Sequence, residues 1–215
     1  MTRKEQKEVK RMQIIQAALD LFVERGYYGT KTSQISKRAG ISEGLLFHYF
    51  PTKELLLEEL INIGLEGMRM PMQTDAKNGL DFFRQFTEML FLQVKKNPFI
   101  AKMFVFMGHV VWAEDIPERL RELAASVDTI AYSRSRVEAG QQDGSIRKGD
   151  IMSLSNMYWC AIHGIMEQYA LRPEIPLPRA EWVADMLRND EFVSVRHPQT
   201  CYVSKKPGRN EENNG

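Results

Sequence analysis

The sequence predicts an all-α protein: a small three-helix head, a long connecting helix and a larger helical body. Three observations carry this. Apolar residues recur at i, i+3, i+4 and i+7 through most of the 215 residues, the period of a helix that buries one face. No run of four or more residues shows the alternation of a half-buried strand between turn signals. Prolines fall between the periodic segments, where they end helices.

The elements follow in order. Ile14, Ala17, Ala18, Leu21 and Phe22 form one face of a first helix, closed by Gly26. A short second helix starts at about Thr32, whose hydroxyl suits a cap of the free N–H groups, and ends at Ala39-Gly40. A third runs from Ser42 to Tyr49 and stops at Phe50-Pro51, because the residue before proline is pushed out of the α region. Thr52 then caps a long fourth helix carrying Leu55, Leu56, Leu60, Ile61, Ile63 and Leu65. The stretch from Gly67 to Gly79, with Pro71, reads as a hinge. Further helices are expected near 80–96, 98–112, 117–139, 149–171 and 179–188, with breaks at Pro98, Pro117 and the Pro173/Pro176/Pro178 cluster. Beyond Asp190 the apolar pattern fades, and 191–215 reads as a flexible tail. The domains are then 1–57, 58–190 and the tail.

Composition excludes several functions. With 43% apolar and 27% charged residues the chain is an ordinary globular one. No stretch approaches 18 consecutive apolar residues, and the charged start leads into no signal-peptide core, so no membrane association and a cytoplasmic location are expected. Cys160 and Cys201 sit in no CxxC pattern, so no disulfide scaffold, metal or cofactor is expected. Nothing matches GxGxxG, a P-loop, HExxH or GxSxG. Cys160 and His163 come nearest to a catalytic pair, but no Asp or Asn orients the histidine. No catalytic residue and no enzyme is expected. The net charge of +1 conceals an asymmetry. Residues 1–53 hold ten Lys/Arg against five Asp/Glu, whereas the remainder holds 19 against 23. A basic head on a mildly acidic body points to a polyanion met by the head.

The informative stretch is T-S-Q-I-S-K-R-A-G-I-S-E-G-L-L-F-H-Y-F at 32–50. Two short helices joined by a glycine-containing turn have the layout of a helix-turn-helix. Ile35 and Ala39 face inward, Ser36 is small where the helices cross, Gly40 suits a positive φ, and Ile41 and Leu46 plug the shared core. Lys53 stands out on physical grounds. In the first turn of the fourth helix a cation opposes the macrodipole, at a cost of about 0.3–1 kcal/mol, unless an anion such as a DNA phosphate docks there. Thr32, with Lys31 beside it, offers a second phosphate site by the same logic.

Residues 12–57 resemble the N-terminal domain of the TetR (tetracycline-repressor) family of bacterial transcriptional regulators. The resemblance rests on I-I-x-A-A-x-x-L-F at 14–22, G-Y at 26–27, I-S-K-R-A-G-I-S at 35–42 and F-H-Y-F-x-x-K-E-x-L-L at 47–57. It implies that the helix from Ser42 enters the major groove of a double-stranded operator, exposing Glu43, Gly44, Leu45 and His48 there. Glu43 can accept from a cytosine amino group, and Leu45 can touch a thymine methyl. His48 and Tyr49 would lie beside phosphates, with Lys31, Thr32, Ser33, Lys37 and Lys53 adding backbone contacts. Phe47 stands where the family usually has tyrosine, so packing replaces a phosphate hydrogen bond there. Leu45 stands where a small polar residue is usual.

The resemblance also implies a body that binds a small molecule and pairs, through its last two helices (about 149–171 and 179–188), with a second copy. A largely apolar pocket is expected from Phe86, Met89, Leu90, Phe104, Met107, Trp112, Tyr132, Arg136, Tyr158 and His163. The function implied is a ligand-released repressor that binds a pseudo-palindromic operator as a homodimer. The alternative is a DNA-binding regulator controlled by a protein partner, or an activator.

Overall fold

The computed structural model describes residues 2–69 and 76–190. Residues 70–75 of the expected hinge, all of the expected tail and Cys201 lie outside the described residues. The helices are α1 (Arg3–Arg25), α2 (Thr32–Ala39), α3 (Glu43–Tyr49), α4 (Lys53–Arg69), α5 (Gly79–Lys96), α6 (Phe99–Trp112), α7 (Glu118–Ala124), α8 (Thr129–Gln142), α9 (Ile151–Leu171) and α10 (Ala180–Ala184), followed by a 3-10 turn over Asp185–Leu187. Among the described residues the only β pairing is an isolated bridge between Ile146 and Arg188.

Three boundaries differ from expectation. Helix α1 starts at Arg3, well before the apolar stripe at Ile14, because a capping box nucleates it. The Glu5 N–H donates to Thr2 Oγ1 at 3.2 Å, and the Thr2 N–H donates to the Glu5 carboxylate at 2.8 Å. The helix expected over 117–139 is two helices, because Asp128 starts a new one by accepting the Ala131 N–H at 2.9 Å. The helix expected over 179–188 is one short helix and a 3-10 turn, since the chain there pairs its backbone sideways: the Arg147 N–H donates to Leu187 O at 2.9 Å, and the Asn189 N–H to Ser145 O at 3.1 Å.

Two apolar cores organise the chain. The first joins α1–α4 to α6 and α7. Ile14, Ile15, Leu19, Ile35, Leu46, Leu60 and Leu120 lose all contact with solvent there, and Phe106, Met107 and Val110 are buried beside them. The rings of Phe22 and Phe106 stack across this junction at 6.4 Å. The second core gathers α5, α8, α9 and α10 around Phe83, Tyr158, Ile162, Met166 and Leu187. Two of its polar pairs are satisfied internally, whereas the buried Ser155 Oγ of α9 has no partner among the described residues. The Tyr158 hydroxyl and Thr87 Oγ1 share a hydrogen bond of 2.7 Å, and Trp159 Nε1–H donates to Ser133 Oγ at 3.1 Å.

Helix α6 contributes to both cores, so the head and body are packed together along it. Polar links reinforce the junction. Asp115 accepts the Tyr28 N–H at 2.8 Å, Lys102 pairs with Asp20 at 2.6 Å, and Arg119 grips Glu58 at 2.8 Å and Glu54 at 3.2 Å. Pairs this exposed contribute little stability each. Their value is positional: Arg119 fixes the start of α4 against α7, while Lys102 and Asp115 hold α1 and the loop after it against the body.

Candidate nucleic-acid interface

The geometry of the α2–α3 turn follows from its residues. Gly40 takes φ +66°, a left-handed conformation that a side chain resists, and the Ile41 N–H closes back on Ser36 O at 3.1 Å. Ser36 is buried at the crossing and donates its hydroxyl to Ser33 O at 3.1 Å. Ser42 caps α3 by accepting the Leu45 N–H at 3.2 Å. Helix α3 then buries Leu46 completely and leaves Glu43, Gly44, Leu45, Phe47 and His48 exposed, Leu45 by 37% and Phe47 by 42%. Tyr49 is half-buried, with its ring edge-on to His48 at 5.8 Å. On α2 and before it, Lys31, Ser33 and Lys37 are exposed.

Two expectations need correction. Thr32 is the first helical residue of α2, not its cap; Lys31 holds the cap position, where its N–H donates to Gln34 Oε1 at 2.9 Å. The Thr32 hydroxyl instead donates to Glu43 Oε1 at 2.7 Å, tying the starts of α2 and α3 together. Glu43 is thereby oriented, not merely placed near a dipole. Lys53 does not hold its ammonium free at the end of α4. Its Nζ donates to Tyr27 O at 2.8 Å and Thr30 O at 2.9 Å, and lies 4.1 Å from the centre of the Tyr27 ring. These two carbonyls of the α1–α2 loop thus find their donor in Lys53. Burial pushes its pKa down, against a smaller upward pull from Asp115.

Lys53→Met is therefore expected to lower stability by about 1.5–3 kcal/mol, the range for hydrogen bonds to a charged group. It should weaken binding to all duplexes alike by loosening the α1–α2 loop, with no change in sequence preference. Thermal melts and duplex titrations of the variant check both.

The residues expected to form a body pocket are scattered. Phe86, Leu90 and Tyr158 belong to the second core, with Met89 and Phe104 at its margin. Met107 lies in the first core. The Arg136 guanidinium stacks over the Phe82 ring at 4.8 Å, and Tyr132 is exposed. Trp112 is 84% exposed, at the last position of α6, because Phe106 and Val110 occupy the inward-facing positions. A groove of about 770 Å³ lies in the head between α1 and α2 and is lined by Val9, Met12, Asp20 and Arg38. A cavity of about 90 Å³ at the head–body junction is lined by Phe22, Tyr27, Phe106 and His109. None of the ten expected pocket residues lines either.

His163 is half-buried, its ring edge-on to Phe104 at 5.5 Å. Burial lowers its pKa from the ordinary 6.5, with Glu167 pulling weakly the other way. The stability held by the neutral ring is present above pH 6.5 and is lost as pH falls through the depressed folded value. Acidification from neutral pH should therefore lower the melting temperature, and His163→Leu should flatten that dependence. Melts at closely spaced pH values provide the check.

Sequence reasoning missed the exposed basic turns at the start of α1 (Arg3, Lys4, Lys7, Lys10). The signal was present as T-R-K-E at 2–5, the spacing of a capping box. It also missed Arg38, which joins α2 to α1 by pairing with Glu24 at 2.6 and 3.0 Å.

Comparison with known proteins bears on this site. The sequence model described as "Bacterial regulatory proteins, tetR family" matches residues 14–60. The HTH-type transcriptional regulator RutR of Escherichia coli strain K12 is 37% identical over 157 residues, which cover 71% of this chain and 71% of that protein. The fatty acid metabolism regulator protein of Bacillus subtilis strain 168 is 38% identical over 72 residues, covering 34% of this chain and 37% of that protein. In three dimensions the MbdR regulator from Azoarcus sp. CIB matches with a TM-score of 0.71 at 21% identity, over 84% of this chain and 97% of the other. A TetR-like transcriptional regulator from Rhodococcus sp. RHA1 matches with a TM-score of 0.64 at 19% identity, over 86% and 95%.

Proposed function

The chain belongs to the tetR family of bacterial regulatory proteins and is a DNA-binding transcriptional regulator, not an enzyme, and on that premise we propose that it is a ligand-released repressor. It binds a pseudo-palindromic operator in the bacterial cytoplasm as a homodimer. Residues 1–57 read the DNA, and 58–190 pair and sense a small, largely apolar molecule.

The observation that carries the DNA reading is the division of α3 between one buried anchor and an exposed face. Leu46 pins the helix, while Glu43, Leu45 and His48 project from a capped N-terminal half. An exposed face of this kind suits base edges in the major groove. Lys31, Ser33 and Lys37 flank it as backbone contacts. Pairing is supported by the outer face of α9, where Met152, Cys160 and Leu171 are exposed and nothing lies within 4 Å of a Cβ built at Gly164. Sensing is supported by α6, which spans both cores, so an altered body is felt at α4 through Met107. A coupling of about 1–3 kcal/mol suffices, and reciprocity requires that DNA weaken the ligand by the same factor.

The test is selection of duplexes from a random-sequence pool by the intact protein. Two inverted half-sites separated by one helical turn or a multiple are expected. Leu45→Ala and His48→Ala should shift the enriched sequence while keeping the spacing. Failure to enrich any sequence, or enrichment of one unrepeated motif by a monomer, would overturn the proposal.

A further inference from the structure

The first turns of α1 have no core to join. Residues 2–10 are all exposed, yet the capping box at Thr2 and Glu5 holds them helical. Their charges are sorted. At 100° per residue, Arg3, Lys4, Lys7, Lys10 and Arg11 share one side of the helix, and Glu5, Glu8, Val9 and Met12 share the other. Arg11 is neutralised by Glu8 and by Glu59 of α4. Arg3, Lys4, Lys7 and Lys10 have no acidic partner among the described residues.

Such an arrangement is unfavourable alone. Like charges three and four residues apart repel along a helix, and cations in its first turn oppose the macrodipole. A polyanion along the basic side reverses both signs. The position of that side narrows the choice. Asp20 of α1 and Tyr28 just beyond its end are bound to Lys102 and Asp115 of the body, so the Arg3 end of the helix is the one remote from these contacts. The Arg11 guanidinium stands 5.8 Å over the ring of Phe50, the residue directly after α3. From there the basic side extends about 12 Å further to Arg3.

We propose that this extension is a second DNA-contacting element, which lays Arg3, Lys4, Lys7 and Lys10 along the phosphates of the duplex flanking each half-site. It rests on the DNA-reading function proposed above and adds a contact outside the helix-turn-helix. An edge of about 12 Å matches roughly three phosphates of one strand.

The probe is a 40-base-pair duplex recovered from a random pool by the intact protein, together with the same duplex trimmed to its two half-sites. Affinity is measured against NaCl concentration for the native protein and for the variant Arg3→Gln/Lys4→Gln/Lys7→Gln/Lys10→Gln. Glutamine keeps helix propensity close to that of lysine and arginine, and circular dichroism verifies the fold. On the long duplex the magnitude of the salt slope should fall by about 3 per subunit, with the same base preference. On the trimmed duplex the two proteins should give the same slope. Hydroxyl-radical footprints should lose only their outermost protected nucleotides in the variant. An unchanged slope and footprint on the long duplex, with sequence-specific binding intact, would overturn this proposal and leave the helix-turn-helix reading standing. If the native protein recovers no duplex at all, both fail.

Discussion

Leu46→Ala is expected to cost about 2–5 kcal/mol and to abolish sequence-specific DNA binding while the body stays folded. Helix α3 is only seven residues long, too short to hold its shape in water alone. Leu46 is its one fully buried side chain, set in the core shared with Ile35 of α2 and Ile14, Ile15 and Leu19 of α1. Truncation there opens a cavity where three helices meet, and what remains to hold α3 is peripheral: the Ser42 cap, the Thr32–Glu43 hydrogen bond, the half-buried Tyr49 and Phe50 beyond its end. Against a total stability of about 5–15 kcal/mol, the head is the part that yields first. Hydrogen exchange should show early loss of protection in α3 with α5, α8 and α9 unaffected. Leu46→Met, which conserves volume, should cost less than about 1.5 kcal/mol and retain binding. Full operator affinity in Leu46→Ala would show that α3 does not depend on this anchor.

Gly79→Ala is expected to cost about 3 kcal/mol, the upper end for overpacking, because the obstacle is backbone. A Cβ at Gly79 would lie 2.4 Å from Gly140 Cα, 2.5 Å from Gly140 N and 2.7 Å from Arg136 O. The close approach exists because α5 docks its N-terminus on the turn after α8. Asp143 accepts the Gly79 N–H at 3.0 Å, and Ser145 Oγ accepts the Leu80 N–H at 3.2 Å. Burial alone would raise the Asp143 pKa, but hydrogen bonds from Ser145 and Gly79 hold it below the ordinary value, as suits a carboxylate at a helix N-terminus. Gly64→Ala is the contrasting case. Its nearest obstacle is Met107 Sδ at 2.5 Å, the end of a flexible side chain that can move. Chemical denaturation should therefore show the Gly79 variant to be the less stable by a clear margin. Equal costs would mean that α5 and α8 separate easily.

What was readable in the sequence depended on whether the signal was local. The turn at Gly40, the stop at Phe50-Pro51 and the cap at Thr52 are set by backbone chemistry within a few residues, and all three occur in the structure. The basic head and the inward Ile35, Ser36 and Leu46 were readable for the same reason. Lys53 was not. Its spacing marks the start of α4, but its partners are carbonyls more than twenty residues earlier, brought to it only by packing. Gly79 looked like hinge freedom and is a contact between helices instead. Trp112 looked like pocket lining because its type suits one, yet helical phase at the end of α6 turns it outward. The first turns of α1 carry no apolar period, so only the capping-box spacing could have revealed them.

In the proposed complex the exposed face of α3 reads base edges in the major groove. Methylation interference on the selected duplex tests it most directly, because methylation at guanine N7 blocks the major groove alone. The expected result is two clusters of interfering guanines, one in each half-site, with the interference weakened at specific positions by Leu45→Ala or His48→Ala. Interference confined to adenine N3 in the minor groove, with guanine N7 methylation tolerated throughout both half-sites, would contradict it.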